Sequence, residues 1–257
     1  MHPLLFKIPF LDIPVHTYGF LIAIGFLVAV NVIRRLAARS KLDVEATLDL
    51  VFWTLLIGFA GARILFVFTR LDYFLTAPLD VFRVWEGGLV FFGGPLAAIP
   101  FVVFWTKKKK LPLWETMDAM IPGLAIAHVF GRFGCLMAGC CYGKPTGTGF
   151  GIKLDSELVD SSLRGINLHP TQLYEAAAVF ALFLTLLWVL KHRKFAGQVV
   201  LTYFMAYPII RSVIEVFRGD LIRGFVVDEI LSTSQFISLL LFMGATAVLM
   251  WRLKRVR

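Results

Sequence analysis

Residues 48–69, LDLVFWTLLIGFAGARILFVFT, indicate the class of fold. In this run Asp49 and Arg63 are the charged residues, and most of the others are apolar or small. A helix needs about 20 consecutive, mostly apolar residues to cross the hydrocarbon core of a bilayer. The stretch therefore predicts a transmembrane helix.

Similar stretches recur along the chain, which is 58% hydrophobic with a mean hydropathy of +0.78. Soluble domains contain about 45–50% apolar residues. The sequence therefore predicts an all-α, polytopic integral membrane protein with seven transmembrane helices, forming a single membrane domain over 1–257. The predicted spans are 18–33, 48–69, 89–106, 117–138, 173–190, 199–217 and 227–251.

The net charge is +9, and its basic residues are distributed unevenly between the two sides of the predicted spans. Fifteen Lys and Arg residues fall in the loops and terminus on one side of the predicted spans, and eight fall on the other side. Basic residues accumulate on the cytoplasmic side, so the N-terminus is predicted outside and the C-terminus in the cytoplasm. The charge is thereby explained without a nucleic-acid partner, and 144–165 becomes an outer-face loop.

Three arginines, Arg63, Arg132 and Arg211, lie inside predicted spans. An arginine at mid-bilayer costs about 2.5–3.5 kcal/mol on insertion scales, so it normally faces a partner or a water-filled cavity. In the predicted topology all three lie in the outer half of the membrane, where a lipid phosphate also lies. This favours an anionic lipid ligand. The alternative for Arg211 is a structural pair with Glu215, four residues later on the same helix face.

Several motifs occur in order along nearly the whole chain. Together they resemble the prolipoprotein diacylglyceryl transferase family. The motifs are Tyr18-Gly19, Gly61-Ala62-Arg63, Trp85-Glu86-Gly87-Gly88-Leu89, Gly131-Arg132-Phe133-Gly134, His169-Pro170-Thr171-Gln172-Leu173-Tyr174-Glu175, Tyr207-x3-Arg211-x3-Glu215-x2-Arg218 and Ser234-Gln235.

The resemblance implies an enzyme of lipoprotein maturation in the bacterial cytoplasmic (inner) membrane, with its active site facing the outer leaflet. Such enzymes move the diacylglyceryl group of phosphatidylglycerol to the thiol of the lipobox cysteine in a prolipoprotein signal peptide, and no cofactor is expected. The phosphate would be held by Arg132 and Arg211, beside Tyr18. The further substrate-binding candidates are Arg63, Tyr207, Glu215, Arg218, Gly143, His169 and Glu175.

The chain departs from the family pattern at two places. The family usually has a histidine in a GG-x3-HGG segment, and Phe92 stands at that position here. Phenylalanine cannot accept a proton. After Gly-Arg-x-Gly the family usually has two asparagines and a glutamate, where this chain has Cys135, Ala138 and Cys140.

Three interpretations of the cysteines remain open. They are small buried residues, or Cys135 forms a disulfide with Cys140 or Cys141 if the helix breaks at Gly139. Alternatively, a thiolate beside Arg132 acts as nucleophile or base. The last interpretation makes Cys135 and Cys140 catalytic candidates.

Two histidines bear on the same question. His128 lies one turn before Arg132 and is a candidate base, or else a hydrogen-bonded core residue. Zinc bound by the thiols and His169 is disfavoured because the sequence has no paired C-x2-C spacing, so no metal is predicted.

The sequence leaves three functions open. The first is glyceryl transfer to a thiol, with an acceptor that is either the family's or an altered one. The second is a catalytically silent homologue that binds lipid or lipoprotein, which Phe92 favours. The third is a transporter of an anionic lipid, which polar residues confined to one half of the membrane disfavour.

Overall fold

The computed structural model describes residues 4–7, 14–84, 87–219, 225–227 and 231–256, and these are mostly helical. Within the described residues, six helices are long and apolar enough to cross a membrane. The predicted all-α membrane fold is thereby confirmed. The six are α1 Thr17–Arg39, α2 Val44–Thr69, α5 Leu113–Ala138, α6 Thr171–His192, α7 Gln198–Phe217 and α8 Thr233–Val256.

The predicted span 89–106 is shorter in the structure. Here α4 covers Gly93–Lys108, 16 residues, or about 24 Å of helix against a hydrocarbon core of about 30 Å. Gly87 and Gly88 have φ of +88° and +79°, a conformation that does not continue into a right-handed helix. The predicted start of this span at residue 89 was therefore wrong. A seventh membrane crossing stays a prediction.

The remaining elements are short. A helical turn α3 and a 3₁₀ turn follow α2, and three antiparallel strand pairs lie between or before the long helices. Their bounds are α3 Leu71–Thr76, 3₁₀ Pro78–Phe82, β1 Leu4–Lys7 with β2 Pro14–His16, β3 Ile152–Lys153 with β4 Asn167–Leu168, and β5 Phe225–Val227 with β6 Leu231–Ser232.

The last helix begins later than the predicted start at residue 227. Ser232 Oγ accepts a hydrogen bond from the Gln235 backbone N–H at 3.2 Å, and Gln235 Oε1 accepts from the Ser232 backbone N–H at 3.1 Å. This reciprocal pair is a capping box, which fixes a helix start. The helix therefore begins at Thr233, and the predicted span 227–251 started too early.

The chain divides into two compact units, and each is described by itself. Unit 2 covers Arg34–Thr116, and within it α2 packs on α4 through glycines. A Cβ built on Gly61 would lie 2.4 Å from the Gly93 carbonyl oxygen, and one on Gly93 would lie 2.2 Å from that of Gly61. Small residues allow such close approach between membrane helices.

Unit 1 covers Met1–Ile33 and Met117–Arg257. Its helices α1, α5, α6 and α7 bring the start of α1, the end of α5, the start of α6 and the end of α7 together. We call this the thiol end of unit 1, because the three cysteines lie there. Gly25 and Gly123 fit α5 against α1, since a Cβ on either would lie 2.6 Å or less from Phe130 or Ile33.

The opposite end of unit 1, the Asp118 end, is held by a fully buried carboxylate. Asp118 accepts hydrogen bonds from Arg193 Nη1 at 2.8 Å and from the backbone N–H groups of Gly197, Val199 and Val200 at 2.8 to 3.0 Å. The three N–H groups at the start of α7 have no partner within that helix. Asp118 of α5 therefore caps α7 from outside it.

The loop 144–165 is packed. Its Leu154 and Val159 form a buried cluster with Tyr142 and Leu168. Asp160 caps the 3₁₀ turn Ser161–Leu163, and the hydrogen bonds from Ser162 lower the pKa of that carboxyl below its ordinary value. The loop is thus a small folded element with a core of its own.

Candidate lipid and thiol site

The end of α5 turns back on itself. The helix stops at Ala138, and Gly139 has φ +76°. The Cys140 N–H donates to the Cys135 carbonyl at 3.1 Å, and the Gly139 N–H donates to that of Leu136 at 3.2 Å. This pair of bonds around a left-handed glycine is a Schellman motif. It brings Cys140 over Cys135, so the break at Gly139 that the disulfide interpretation required is present.

The turn collects the cysteines into one cluster of free thiols. The Sγ atoms of Cys135, Cys140 and Cys141 all lie within 4.8 Å of one another. Cys141 has φ +61°, which is unfavourable for a residue with a Cβ. Hydrogen bonds from Cys135 and Cys140, then the charges of Arg218 and Arg132, hold the pKa of the Cys141 thiol below its usual range.

The first turn of α6 holds the cysteine backbone in place. Thr171 Oγ1 donates to the Cys141 carbonyl and Gln172 Nε2 donates to the Cys140 carbonyl, both at 2.7 Å. Both side chains are almost fully buried. Gln172 Oε1 has no hydrogen-bond partner among the described residues. The HPTQ motif therefore fixes the loop that carries the thiols.

Gly143 fits between two backbone segments. A Cβ there would lie 2.6 Å from the His169 carbonyl oxygen and 2.8 Å from that of Phe217. Gly143 also forms an antiparallel bridge with Arg218. His169 itself bonds Tyr174 through Nδ1 at 3.2 Å. Gly143 and His169 thus join the ends of α5, α6 and α7.

Glu175 is the centre of a buried polar network. Its Oε1 lies 3.1 Å from Arg132 Nη2 and 3.4 Å from His128 Nε2, and it accepts a hydrogen bond from the Tyr207 hydroxyl at 3.2 Å. Arg132 Nε donates to His128 Nε2 at 3.1 Å. That bond occupies the lone pair of this nitrogen, so His128 would have to break it to act as a base through Nε2.

Arg211 and Glu215 form the predicted pair on one face of α7, with Nη2 and Oε2 2.7 Å apart. Arg211 also interacts electrostatically with Glu175. Its Nη1 is buried and has no hydrogen-bond partner among the described residues. A buried donor without an acceptor costs about 1–3 kcal/mol, and an anionic oxygen would relieve that cost.

Tyr18 connects the start of α1 to this region. A Cβ on Gly134 would lie 2.9 Å from the Tyr18 ring. Tyr18 interacts electrostatically with the three thiols and with Arg132, and Arg218 acts on Cys141. The structure therefore brings all the unit 1 candidates to one end. These candidates are Tyr18, His128, Arg132, Cys135, Cys140, Gly143, His169, Glu175, Tyr207, Arg211, Glu215 and Arg218.

Arg63 lies in unit 2 and serves the backbone there. Its guanidinium donates five hydrogen bonds of 2.7 to 3.3 Å to the carbonyls of residues 80, 81, 83, 87 and 88. A guanidinium has five N–H donors, so these carbonyls use all of them. A lipid-binding role for Arg63 stays a prediction, and Trp85 and Glu86 of the neighbouring motif lie outside the described residues.

Sequence reasoning missed three residues that shape the site and its support. Thr171 and Gln172 lie in the HPTQ motif, which predicted no role for them, and Asp118 was not predicted. A buried acid in a span is as costly as a buried arginine. The cost of a buried charge, which marks Arg132 as a site candidate, therefore marks Asp118 as well.

The apolar helices, with ion-paired arginines and free thiols at one end of unit 1, define a helical membrane protein with a cationic, thiol-bearing site. The comparisons identify the family. The model of the family described as prolipoprotein diacylglyceryl transferase matches residues 3–251. This chain therefore belongs to the prolipoprotein diacylglyceryl transferase family, as the motifs predicted, and it is a transferase of the bacterial membrane.

Individual relatives match over nearly the full length. The phosphatidylglycerol–prolipoprotein diacylglyceryl transferase 2 of Clostridium perfringens (strain 13 / Type A) is 31% identical over 95% of this chain and 92% of its own. The corresponding enzyme of Clostridium tetani is 32% identical over 93% of each chain. That of Oceanobacillus iheyensis is 30% identical over 94% of this chain and 85% of its own.

Proposed function

We propose that this protein transfers the diacylglyceryl group of phosphatidylglycerol to the thiol of a prolipoprotein cysteine. The proposed setting is the bacterial inner membrane, with seven crossings, the N-terminus outside and the site facing the outer leaflet. The names of the relatives support the reaction class. The observation that carries the proposal is the buried Nη1 of Arg211, a cationic donor with no acceptor in the part of the chain that the structure describes.

The reaction sets two demands on the site. The acceptor thiolate attacks a glyceryl carbon of the lipid, a carbon–sulfur bond forms, and the bond from that carbon to the phosphate oxygen breaks. Negative charge develops on the departing glycerol phosphate. Arg211 meets this demand through its free donor, and Arg132 adds charge beside it, because preorganised cations stabilise a developing anion.

The second demand is removal of the acceptor proton. Phe92, at the family's histidine position, has no proton-accepting atom. His128 Nε2 already accepts from Arg132. The thiol cluster lies beside Arg132 and Arg218, so we assign the activation of the acceptor to this cluster, with Cys135 and Cys140 among its members.

The test is release of glycerol phosphate from phosphatidylglycerol by the purified protein with a lipobox peptide. The native protein should release it, and Arg211→Ala should not. Lys191→Ala is the matched control, because it removes an exposed cation at the other end of α6, and it should keep full activity. Unchanged turnover in Arg211→Ala would show that the site assignment is wrong.

A second candidate is a silent homologue that binds lipid or lipoprotein, and the observation in its favour is Phe92. It predicts that the protein binds phosphatidylglycerol without releasing glycerol phosphate, and that Phe92→His restores release. An anionic-lipid transporter would instead produce counterflow of labelled lipid in proteoliposomes.

A further inference from the structure

The three thiols at the end of α5 are free and lie close together, an arrangement that also suits a metal ion. Their sulfur atoms lie within 4.8 Å of one another. A zinc ion bound to thiolates at about 2.3 Å in tetrahedral geometry places sulfurs about 3.8 Å apart. The three side chains therefore need to close by about 1 Å or less to hold one ion between them.

The backbone is built to keep the thiols together. The Schellman turn at Gly139 returns Cys140 to Cys135, and Cys141 is held at φ +61°. A non-glycine residue in this region costs about 1–3 kcal/mol and persists where its surroundings impose it. Here Thr171 and Gln172 impose it by binding the carbonyls of Cys141 and Cys140.

The charges around the cluster also suit a metal. Three thiolates and Zn²⁺ leave one net negative charge, and Arg132 and Arg218 both act on Cys141. Among biological metal ions, Zn²⁺ and Cu⁺ are ones that thiolate ligands select. Zinc sites with three protein ligands keep a fourth position for a ligand that reacts.

We propose that Cys135, Cys140 and Cys141 bind one Zn²⁺ ion whose fourth coordination position takes the acceptor thiol. The acceptor part of this inference rests on the proposed function, whereas the metal site does not. The sequence predicted no metal because the cysteines lack paired C-x2-C spacing. The turn at Gly139 supplies the proximity that this spacing usually provides.

The ion would activate the acceptor thiol, which Phe92 at the family's histidine position cannot do. A thiol that coordinates zinc is deprotonated. The acceptor thiol gives its proton to water as it binds, and its zinc-bound sulfur then attacks the glyceryl carbon. The carbon–oxygen bond to phosphate breaks, glycerol phosphate leaves toward Arg211, and the thioether product, a poor ligand, leaves the ion.

The first test measures metal content of the full-length protein purified from zinc-replete cells. We expect about one zinc per chain, and a loss of about tenfold or more in Cys135→Ser, Cys140→Ser and Cys141→Ser. Met137→Ala is the matched control: it removes a neighbouring sulfur outside the cluster and should retain the zinc. A metal-free native protein that cannot take up added zinc, or a disulfide between two of the thiols, would overturn the site. One bound copper ion in place of zinc would overturn the choice of ion.

The second test uses cobalt as a spectroscopic probe in the native chain and does not depend on how the variants fold. Co²⁺ should give thiolate charge-transfer bands, and a lipobox peptide should shift its visible spectrum. The same peptide with serine at the acceptor position should not. An equal response to both peptides would contradict the acceptor role.

The two proposals fail separately. Glycerol phosphate release that persists after complete removal of zinc would contradict the metal's role and leave the transferase function standing. Zinc bound by the three thiols without any release would support the metal site and contradict the transferase function.

Discussion

The two ends of unit 1 both bury a carboxylate near an arginine, and they differ in whether the polar atoms are satisfied. At the Asp118 end, one carboxylate accepts four hydrogen bonds, from Arg193 and three backbone N–H groups. At the thiol end, Arg132 and Arg211 are paired with Glu175 and Glu215, and Arg211 Nη1 has no acceptor within the described chain.

This difference distinguishes polar residues that stabilise the fold from polar residues that can bind a ligand. A saturated buried pair has no atom left for a ligand, so its contribution is to the fold. An unsatisfied buried donor costs stability in the free protein and gains an acceptor when an anion arrives. The five donors of Arg63 all donate to carbonyls. By the same criterion, its role is structural, like that of Asp118.

The largest expected effect is on stability at the saturated end. Asp118→Ala leaves Arg193 and three backbone N–H groups without their acceptor, and we expect a loss of about 3–5 kcal/mol. A strongly reduced melting temperature in detergent would show this. Asp118→Asn is the control: its amide oxygen still accepts from the backbone, so it should lose less. An unchanged melting temperature in Asp118→Ala would end the contrast between the two ends.

The next effect is on turnover at the unsatisfied end. Arg211→Lys keeps a positive charge opposite Glu215 but removes the free Nη1 donor. We expect kcat/KM for glycerol phosphate release to fall about 10²–10³-fold, as when one oxyanion donor is lost. The melting temperature should stay close to that of the native protein. A large fall in melting temperature with unchanged kcat/KM would reverse the roles assigned to the two ends.

Much of this contrast was accessible from sequence, since apolar length predicts membrane helices and the cost of buried charge predicts partners. The helix ends were less accessible. Hydropathy does not predict the start of α4, which depends on the positive φ of Gly87 and Gly88. It does not predict the start of α8 either, which depends on the hydrogen bonds between Ser232 and Gln235. The sequence raised a break at Gly139 only as a condition for a disulfide, because the left-handed φ of this glycine and the hydrogen bonds of its turn cannot be predicted from hydropathy.

A smaller loss of stability is expected from closing the space at Gly143. In Gly143→Ala the new methyl group would overlap the His169 and Phe217 carbonyl oxygens. Overpacking of this kind costs about 1–3 kcal/mol. Gly147→Ala, four residues later in the loop 144–165, is the matched control, because nothing lies within 4 Å of its Cβ position. Equal melting temperatures for both variants would show that the joint between α5, α6 and α7 relaxes freely.

The smallest expected effect tests the network around Glu175. Tyr207→Phe removes one hydrogen bond to Oε1 and keeps the ring stacked on Tyr203, with ring planes 2° apart. Arg132 remains 3.1 Å from the same oxygen, so the carboxylate stays paired. We expect transition-state stabilisation to fall by about 1 kcal/mol. The measurement is kcat/KM for glycerol phosphate release, which should be roughly fivefold lower. A loss as large as that of Arg211→Lys would place the Tyr207 hydroxyl on the substrate itself. In that case the thiol end would use a phenol as well as a guanidinium to meet the phosphate, and Glu175 would serve to aim both.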